Sequence, residues 1–389
     1  MGLIARIEAG TPAHRDRSVD GLRAVAIVGV VLGHWLVSAV VSDPARPSDW
    51  HGASPLQDRP ALIPLTWVLQ TLGLFFFAGG YAAARADGGH RSLAARGDGG
   101  HRSPAARGDG GHRSLAARFA RLGRPVLVLA AVWVPAWLLL SAVGVPENTL
   151  HLVRSLLVHP MWFLLVFLIL TGLAPMLRKA IIRYGGWALL PPVAIVAVSD
   201  VTRRLDTADW LPPVATVAGW AAPYLLGIAL AQGALPRRAG LVLAPAGVLA
   251  GTLLVLVAGY PASAVGVPGD GWSNLDPPSL FALALAAAQL GVFLLVRDRI
   301  AGALRRPARW APVAGLNLVA MTVYCWHQSA LLLVGFAGML AGPLPGLLDE
   351  PAGDWPVHRL LWLPVFAVTL AVLCAVFHRA VTPSRQRPP

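Results

Sequence analysis

Two histidines lie inside long apolar runs of the sequence, where an ionisable side chain is costly. His34 follows Leu22 by twelve residues in the first run, and His327 follows Leu316 by eleven residues in the ninth. An ionisable group inside a bilayer costs about 2.5–3.5 kcal/mol on insertion scales, so we treat both histidines as functional candidates. A buried neutral imidazole could take a proton from a hydroxyl group, which is general-base chemistry. The alternative for each is a structural hydrogen bond between helices.

Arg23 stands eleven residues before His34, a spacing that puts both side chains on one face of a helix. At about 100° per residue the separation is three turns plus roughly 20°, and the axial distance is roughly 16 Å. Asp20, three residues before Arg23, could pair with it at i,i+3. Such a face could hold an anionic donor at the membrane surface and carry out proton chemistry above it. The alternative for Arg23 is a topogenic residue that snorkels to the cytoplasmic boundary.

Polar and aromatic residues accompany these histidines. Tyr324 stands at i,i+3 from His327, with Gln328 next in sequence, so adjoining helix surface carries several hydrogen-bond donors and acceptors. We interpret this group either as part of a substrate cavity or as a polar clamp between helices. Trp162 opens the fourth apolar run from its outer end, where an aromatic residue is more often part of the interfacial belt than a ligand contact.

Three arginines precede the third apolar run. Arg118, Arg121 and Arg124 form one basic stripe if they are helical, and such a stripe suits the phosphates of a soluble anionic cofactor. The alternative is the enrichment of arginine that the positive-inside rule requires. The sequence contains no Walker loop, HExxH, GxSxG or Cys/His cluster, so it has no motif for a phosphate cradle, a zinc site or a serine nucleophile. We therefore expect no metal.

The elements that must position these residues are transmembrane helices. Of the 389 residues, 56% are apolar and only 13% are charged, which is about half the charge of a soluble domain. Runs of roughly 20 apolar residues are long enough to span a bilayer as helices. Ten such runs predict an all-α polytopic membrane protein, with spans at about 22–41, 61–84, 125–145, 161–177, 187–199, 211–235, 241–258, 277–296, 316–340 and 360–377.

The distribution of positive charge predicts the orientation in the membrane. With the N-terminus in the cytoplasm, the cytoplasmic segments carry 25 of the 32 Lys and Arg residues and the external loops carry 6. Cytoplasmic loops are enriched in Lys and Arg, so this division places both termini in the cytoplasm. The net charge of +13 is then mainly topogenic, which argues against a nucleic-acid partner.

The second cytoplasmic segment contains an internal repeat. Residues 86–118 hold three near-identical copies of an 11-residue unit, the first of which reads ADGGHRSLAAR. Gly-Gly and Asp-Gly pairs break helices, and nothing in the unit could form a core, so we predict a low-complexity loop. The chain as a whole, residues 1–389, is expected to form a single transmembrane domain that contains this loop.

Five segments of the sequence form a recognisable series. In chain order they are Asp20–Trp35 with its Arg23 and His34, Phe75–Tyr81, Arg118-x-x-Arg121, Trp162-Phe163-Leu164 and Tyr324–Gln328 with its His327. Together they resemble the bacterial membrane acyltransferase family 3, the integral-membrane O-acyltransferases of glycans, peptidoglycan, lipopolysaccharide, osmoregulatory glucans and macrolides. The resemblance covers nearly the whole chain and agrees with ten spans. One departure is Gly79, which stands where the family has Ser.

The resemblance implies a cytoplasmic acyl-CoA donor, with acetyl-CoA as the default, and an acceptor hydroxyl on a carbohydrate or glycosylated molecule. It also implies a multi-pass protein of the bacterial cytoplasmic (inner) membrane. His34 would act as a base or as a transient acyl carrier, with Arg23 and His327 as further catalytic residues. The expected donor-binding residues are Arg118, Arg121 and Arg124, and the expected cavity residues are Tyr324, Trp162, Tyr81 and Asp20.

Two other function classes remain open from the sequence. A proton-coupled transporter or flippase of a glycan or small molecule would also have about ten spans and intramembrane histidines. Carriers of that kind often contain internal repeats between their halves, and the only repeat found here is the 11-residue unit. A structural membrane subunit is the third alternative, but it leaves the buried ionisable groups unexplained.

Overall fold

Helices account for nearly all of the regular structure. The computed structural model describes residues 2–12, 15–96, 105–207, 210–342 and 344–381, and the side chains of 3, 5, 6, 87–122 and 381 lie outside that description. This part of the chain confirms the predicted all-α class. Its helices are α1 (Leu3–Ala9), α2 (Arg17–Val37), α3 (Pro55–Asp58), α4 (Ile63–Leu69), α5 (Leu72–Arg96), α6 (Ala105–Ala142), α7 (Glu147–Val158), α8 (Trp162–Tyr184), α9 (Leu190–Leu205), α10 (Leu211–Ala231), α11 (Gly240–Leu256), α12 (Leu280–Ala303), α13 (Pro307–Ala341) and α14 (Trp355–Val381).

Nine stretches of the described chain are long and apolar enough to cross a membrane. The sequence predicts ten, because it separates a fourth span from a fifth. In the structure both fall within Glu147–Leu205, where α8 and α9 are joined by a 3₁₀ turn at Gly185–Leu189. Gly185 has a φ of +56°, the left-handed conformation in which helices commonly end. Pro191 lies in the first turn of α9, where its missing N–H group costs no hydrogen bond.

The described chain divides into two compact units. The first unit comprises Met1–Val30, Ile63–Arg102 and Val166–Leu318, and the second comprises Val31–Leu62, Ser103–Leu165 and Val319–Pro389. Helices α2, α8 and α13 each contribute residues to both units. Arg23 therefore belongs to the first unit, whereas His34 and His327 belong to the second.

In the first unit, α5 packs directly against α10 through glycines. A Cβ atom on Gly80 would lie 2.0 Å from the carbonyl oxygen of Tyr224, and one on Gly227 would lie 1.9 Å from that of Phe77. Residues without a side chain allow two helix backbones to approach this closely, as in many membrane proteins. The segment Phe75–Tyr81, which carries part of the family resemblance, is therefore a helix-packing element.

The second span, also in the first unit, is interrupted. Helix α4 ends at Leu69 and α5 begins at Leu72, so carbonyl groups around the break lose their helical partners. The side-chain amide of Gln289 donates from Nε2 to the carbonyl oxygens of Trp67 (2.8 Å) and Gln70 (3.0 Å). A broken helix is tolerated inside a membrane where neighbouring side chains satisfy the freed backbone groups, and Gln289 does so here.

The second unit contains a β-hairpin that the sequence does not predict. Strands β1 (Ala39–Asp43) and β2 (Arg46–Ala53) pair antiparallel. Trp50 on β2 is fully buried, and its ring centroid lies 4.5 Å from that of Phe336 on α13. β2 lacks the alternation of apolar and polar residues that identifies a strand. Packing against α13, rather than a local sequence pattern, therefore accounts for this hairpin.

The repeat region differs from the predicted loop. Helix α5 runs through the first copy to Arg96, and α6 begins at Ala105 and contains the third copy. Most of the middle copy lies outside the described residues. Extending an existing helix needs no new nucleus, and the Ala, Leu and Arg residues of each copy are good helix formers. These two effects outweigh the helix-breaking tendency of the glycines, on which the prediction of a loop rests.

Candidate active site

The rings of His34 and His327 lie next to each other in the second unit. Their centroids are 4.9 Å apart, and the ring planes are inclined by 46°. His327 is buried, whereas His34 remains partly exposed. The structure thus brings together two histidines that the sequence places at similar membrane depth. Within the described residues, they are not part of any group of three or more His, Cys, Asp or Glu suited to a metal ion.

The hydrogen bond of His327 fixes its tautomer. Its Nδ1 lies 2.6 Å from the backbone carbonyl oxygen of Tyr324. A carbonyl can only accept, so Nδ1 carries the proton and Nε2 carries a lone pair. In the described part of the chain, Nε2 is buried and has no hydrogen-bond partner. In the neutral form of the ring, the lone pair of His327 is therefore on Nε2 and shielded from solvent.

The tautomer of His34 depends on the side-chain amide of Gln328. Gln328 Nε2 lies 3.2 Å from His34 Nδ1, and Gln328 Oε1 is buried without a partner among the described residues. With the NH₂ group facing the ring, Nδ1 accepts and the proton of His34 is on Nε2. With the amide turned over, Oε1 accepts from Nδ1–H, and Nε2 is free to act as a base. The two amide orientations therefore give His34 opposite roles.

Tyr324 connects α13 to the turn that precedes α8. Its hydroxyl donates to the carbonyl oxygen of Pro160, and its ring centroid lies 5.1 Å from that of Phe163 and 5.9 Å from that of His327. Trp162 packs edge-on against Phe163, with ring centroids 6.4 Å apart. Because its hydroxyl proton is already donated to a backbone carbonyl, Tyr324 is placed to hold the two helices together.

Two residues that the sequence does not single out are linked to the histidine pair by hydrogen bonds, Trp35 directly and Arg359 through Trp35. Trp35 donates from its indole Nε1 to the carbonyl oxygen of His327 (3.0 Å). Arg359 donates from Nε to the carbonyl oxygen of Trp35 (2.7 Å) and is completely buried. The hydropathy pattern assigns Arg359 to an external loop, but α14 already begins at Trp355. The signal in the sequence was a lone arginine beside an apolar run, which equally describes a topogenic residue.

In the first unit, the guanidinium group of Arg23 forms no hydrogen bond with any described residue. Its guanidinium carbon lies 5.7 Å from the centroid of the Phe75 ring. The expected partner, Asp20, instead forms two hydrogen bonds with Arg15, of 2.5 and 3.0 Å. The i,i+3 pairing is wrong because Arg15 precedes α2, where its planar fork can engage both carboxylate oxygens. The N–H groups of Arg23 are consequently available to an anion.

Tyr81 belongs to a network around Asp16 at the N-terminal end of α2. Oδ1 of Asp16 accepts the backbone N–H groups of Ser18 (3.1 Å) and Val19 (3.3 Å), as an N-cap does. Oδ2 accepts from Arg297 Nη2 (2.5 Å) and from the Tyr81 hydroxyl (3.2 Å). Burial alone would raise the pKa of Asp16, but the hydrogen bond from Ser18 and the charge of Arg297 hold it below its usual value. Tyr81 therefore helps to anchor the start of α2.

The arginine stripe before the third span is described only in part. The backbone of Arg118 and Arg121 lies in α6, but their side chains lie outside the described residues. Arg124 donates from Nε to the carbonyl oxygen of Ala380 (2.7 Å), near the C-terminal end of α14. A cation at that position complements the helix dipole. Arg124 thus stabilises the end of α14, and its terminal guanidinium nitrogens have no hydrogen-bond partner among the described residues.

One family model matches the chain. It is described as an acyltransferase domain, and the match extends over residues 16–379. No curated protein and no solved structure gives a match. The matched residues include His34, His327 and Arg359 and cover nearly the whole chain, as the resemblance of the five segments leads one to expect. The chain therefore belongs to acyltransferase family 3, and it is a multi-pass membrane acyltransferase.

Proposed function

We propose that this membrane acyltransferase moves an acyl group, by default acetyl, from cytoplasmic acyl-CoA to a hydroxyl of a glycan or glycosylated acceptor. The observation that carries the proposal is the contact between His34 and His327, with Gln328 bonded to His34. Two neutral imidazoles with an adjustable tautomer suit proton transfer from a hydroxyl group. The excess of arginine in one set of loops supports an orientation with both termini in the cytoplasm, and the resemblance to a bacterial family supports the cytoplasmic (inner) membrane as the location.

Acyl transfer at this site needs one proton acceptor. The acceptor hydroxyl gives its proton to Nε2 of His34 while its oxygen attacks the carbonyl carbon of the thioester. The tetrahedral intermediate then expels the thiolate of CoA as the C–S bond breaks, and the proton on His34 passes to the sulfur. The products are an O-acyl ester and free CoA, so that His34 returns to its starting state.

His34, rather than His327, is the histidine that contacts the reacting groups in this proposal. His327 is 1% exposed and its Nδ1–H is bonded to a backbone carbonyl, whereas His34 is partly exposed. A residue must reach the substrate to exchange a proton with it, which favours the more accessible ring. His327 then acts from behind, as a neutral neighbour that fixes the ring of His34.

A second route uses the same residues in another order. In that route, Nε2 of His34 attacks the carbonyl carbon of the thioester, the C–S bond breaks, and the Nδ1 proton of His34 passes to the sulfur so that CoA leaves as the thiol. The acceptor hydroxyl then attacks the acyl carbon, the bond from that carbon to Nε2 breaks, and the hydroxyl proton returns to Nδ1. Covalent catalysis of this kind divides one difficult step into two easier ones. The routes differ in one observable respect: only the second leaves an acyl group on His34 when the acceptor is withheld.

The donor site is proposed to include the arginines on the cytoplasmic side. Arg23 has no hydrogen-bond partner among the described residues, so its five N–H donors are available to phosphate oxygens. Guanidinium groups bind phosphate through paired, charge-assisted hydrogen bonds. Arg118, Arg121 and the terminal nitrogens of Arg124 are proposed separately as donor-binding groups of the second unit.

Thiol release from acetyl-CoA by the purified full-length protein in liposomes, with a mixed glycan pool as acceptor, tests the proposal. We expect His34→Ala to reduce release by about 10²–10⁴-fold, the usual contribution of a general base. His151→Ala is the matched control, because His151 is an exposed histidine of the same unit on α7. Wild-type turnover in His34→Ala would refute the proposal, as would a wild-type protein that neither releases thiol nor binds acetyl-CoA.

A further inference from the structure

We infer that Arg359 and Trp35 are positioning residues that set the geometry of the histidine pair by holding the C-terminal end of α2. This inference rests on the proposed function, since it concerns the same site. Neither residue has been placed in contact with the reacting groups. Arg359 is hydrogen-bonded to the carbonyl group of Trp35, the residue after His34, and Trp35 is hydrogen-bonded to the carbonyl group of His327.

The C-terminal end of α2 carries carbonyl groups that have no partner within the helix. The last four carbonyls of any α-helix are in this position, and they need donors from elsewhere. Arg359 supplies two donors at this end. Its Nε donates to the carbonyl oxygen of Trp35 (2.7 Å) in α2, and its Nη2 donates to that of Ser38 (3.1 Å), the residue after α2. A cation at a helix C-terminus also complements the helix dipole. His34 is the residue immediately before the first of these two carbonyls.

The environment of Arg359 shows that it is built into the protein. Its side chain is 0% exposed, and the guanidinium carbon lies 5.1 Å from the ring of Trp355 and 4.9 Å from that of Phe366. Nη1 donates to the carbonyl oxygen of Gly346 (3.0 Å), whose own N–H donates to Asp349 (2.8 Å). Burying a charged group is expensive unless hydrogen bonds compensate it. Here two of the compensating hydrogen bonds go to backbone carbonyls shortly after His34, those of Trp35 and Ser38.

Trp35 links this arginine to the second histidine. Its carbonyl accepts from Arg359, while its indole Nε1 donates to the carbonyl oxygen of His327 (3.0 Å). The indole ring also lies 5.4 Å from the ring of Phe366, which packs against Arg359. One side chain is therefore bonded to α13 at His327 and adjoins His34 in α2. The distance between the two imidazoles depends on these contacts as well as on the rings themselves.

Variants at these two positions separate positioning from general stability. Arg359→Gln removes the charge and the fork, Arg359→Lys keeps the charge, and Trp35→Phe removes only the N–H donor while keeping an aromatic ring. Trp362→Phe is the matched control, because Trp362 is also on α14 and its Nε1 donates to the carbonyl oxygen of Pro345 (2.9 Å), away from the histidines. Two readouts are needed: the kinetics of thiol release from acetyl-CoA, and hydrogen–deuterium exchange of a peptide covering 35–38.

We expect Arg359→Gln to lower kcat by about 10–100-fold, because small misplacements of catalytic groups have effects of that size. KM for acetyl-CoA should stay within about twofold of the wild type, which general unfolding would not produce. Exchange should accelerate at 35–38, where the N–H of Ser38 is bonded to the carbonyl of His34 (3.1 Å), but not in α11. Arg359→Lys should recover part of kcat, Trp35→Phe should lose about tenfold, and Trp362→Phe should match the wild type.

Several results would overturn the inference. One is an unchanged kcat in Arg359→Gln when exchange at 35–38 has accelerated, and another is a lower kcat with unchanged exchange. If Arg359→Gln fails to insert, Trp35→Phe decides, because wild-type kcat in that variant contradicts the link to His327. A wild-type protein that neither releases thiol nor binds acetyl-CoA refutes the proposed function instead. In that case the exchange data alone show whether Arg359 holds the end of α2, and unchanged exchange overturns the inference independently.

Discussion

The side-chain amide of Gln328 lies 3.2 Å from Nδ1 of His34, and no other described group is hydrogen-bonded to that ring. A side-chain amide can donate or accept, so a rotation of the amide by 180° moves the basic nitrogen of His34 from one side of the ring to the other. The neighbouring His327 does not have this freedom, because a backbone carbonyl fixes its Nδ1 as a donor. The site therefore contains one adjustable imidazole and one fixed imidazole.

Replacing Gln328 should change the turnover number according to the hydrogen bond that remains. Gln328→Leu removes the bond to His34, and we expect kcat to fall by about tenfold, the upper end for one neutral hydrogen bond. Gln328→Glu should keep more activity than Gln328→Leu, because an ionised carboxylate only accepts and leaves Nε2 of His34 as the base. Rates of thiol release measured side by side check this. Wild-type kcat in Gln328→Leu would contradict it.

The two histidines should behave as a unit in a double-mutant cycle. His327→Ala alone should reduce kcat by less than His34→Ala, because His327 is buried behind the reacting ring in this mechanism. In the His34→Ala background, His327→Ala should have almost no further effect, as residues that act together are strongly non-additive. The measurement is kcat for all four proteins in the same liposomes. Effects that multiply independently would show that the 4.9 Å contact has no catalytic meaning.

Arg23 should contribute to donor affinity. Arg23→Ala removes the charge-assisted hydrogen bonds that we propose to the donor phosphates. Such bonds are worth about 1.5–3 kcal/mol, so KM for acetyl-CoA should rise by about tenfold or more. Arg23→Lys should raise it less, since an ammonium retains the charge but not the planar fork. The control is Arg305→Ala, an exposed arginine of the same unit. If KM is unchanged in Arg23→Ala while kcat falls, Arg23 acts on the reaction rather than on donor binding.

The contact between α5 and α10 should not tolerate a methyl group. A Cβ atom on Gly80 would lie 2.0 Å from the carbonyl oxygen of Tyr224, so Gly80→Ala should destabilise the protein by about 1–3 kcal/mol or more through overpacking. Gly315→Ala is the control, because a Cβ atom on Gly315 in α13 has no heavy atom within 4 Å. It should be neutral or slightly stabilising. Thermal unfolding in detergent micelles compares the two, and equal melting temperatures would rule out the close backbone approach.

The part of the site that the sequence predicts is the part that depends on local spacing and burial. His34 and His327 were identifiable because ionisable groups are rare in apolar runs, and their similar depth follows from the span boundaries. Two further features come from helix packing: the 4.9 Å distance between the ring centroids, and the 3.2 Å contact between the amide of Gln328 and Nδ1 of His34. Helical periodicity does not contain that information, since it depends on contacts between distant segments.

The features that the sequence does not predict have specific physical causes. Arg359 resembles a topogenic arginine, and only its three backbone carbonyl partners distinguish it from one. The partner of Asp20 is Arg15, outside α2, because an irregular segment can approach a carboxylate more freely than a residue three positions along the helix. The break falls at the polar pair Gln70-Thr71, inside an apolar run that is long enough to span a membrane as one helix, so the hydropathy pattern predicts no interruption. The carbonyl groups at the break are bonded by the side chain of Gln289, which lies far away in the sequence.

The interrupted second span bears on how this enzyme coexists with an energised membrane. A break in a transmembrane helix exposes carbonyl groups that would otherwise recruit water, and a file of water molecules conducts protons. The amide of Gln289 donates to the carbonyls of Trp67 and Gln70, so these two groups do not need water molecules as partners. A side chain that takes the place of water at two carbonyls shortens the hydrated path that a proton could follow, and so favours an irregular helix that does not leak protons across the membrane.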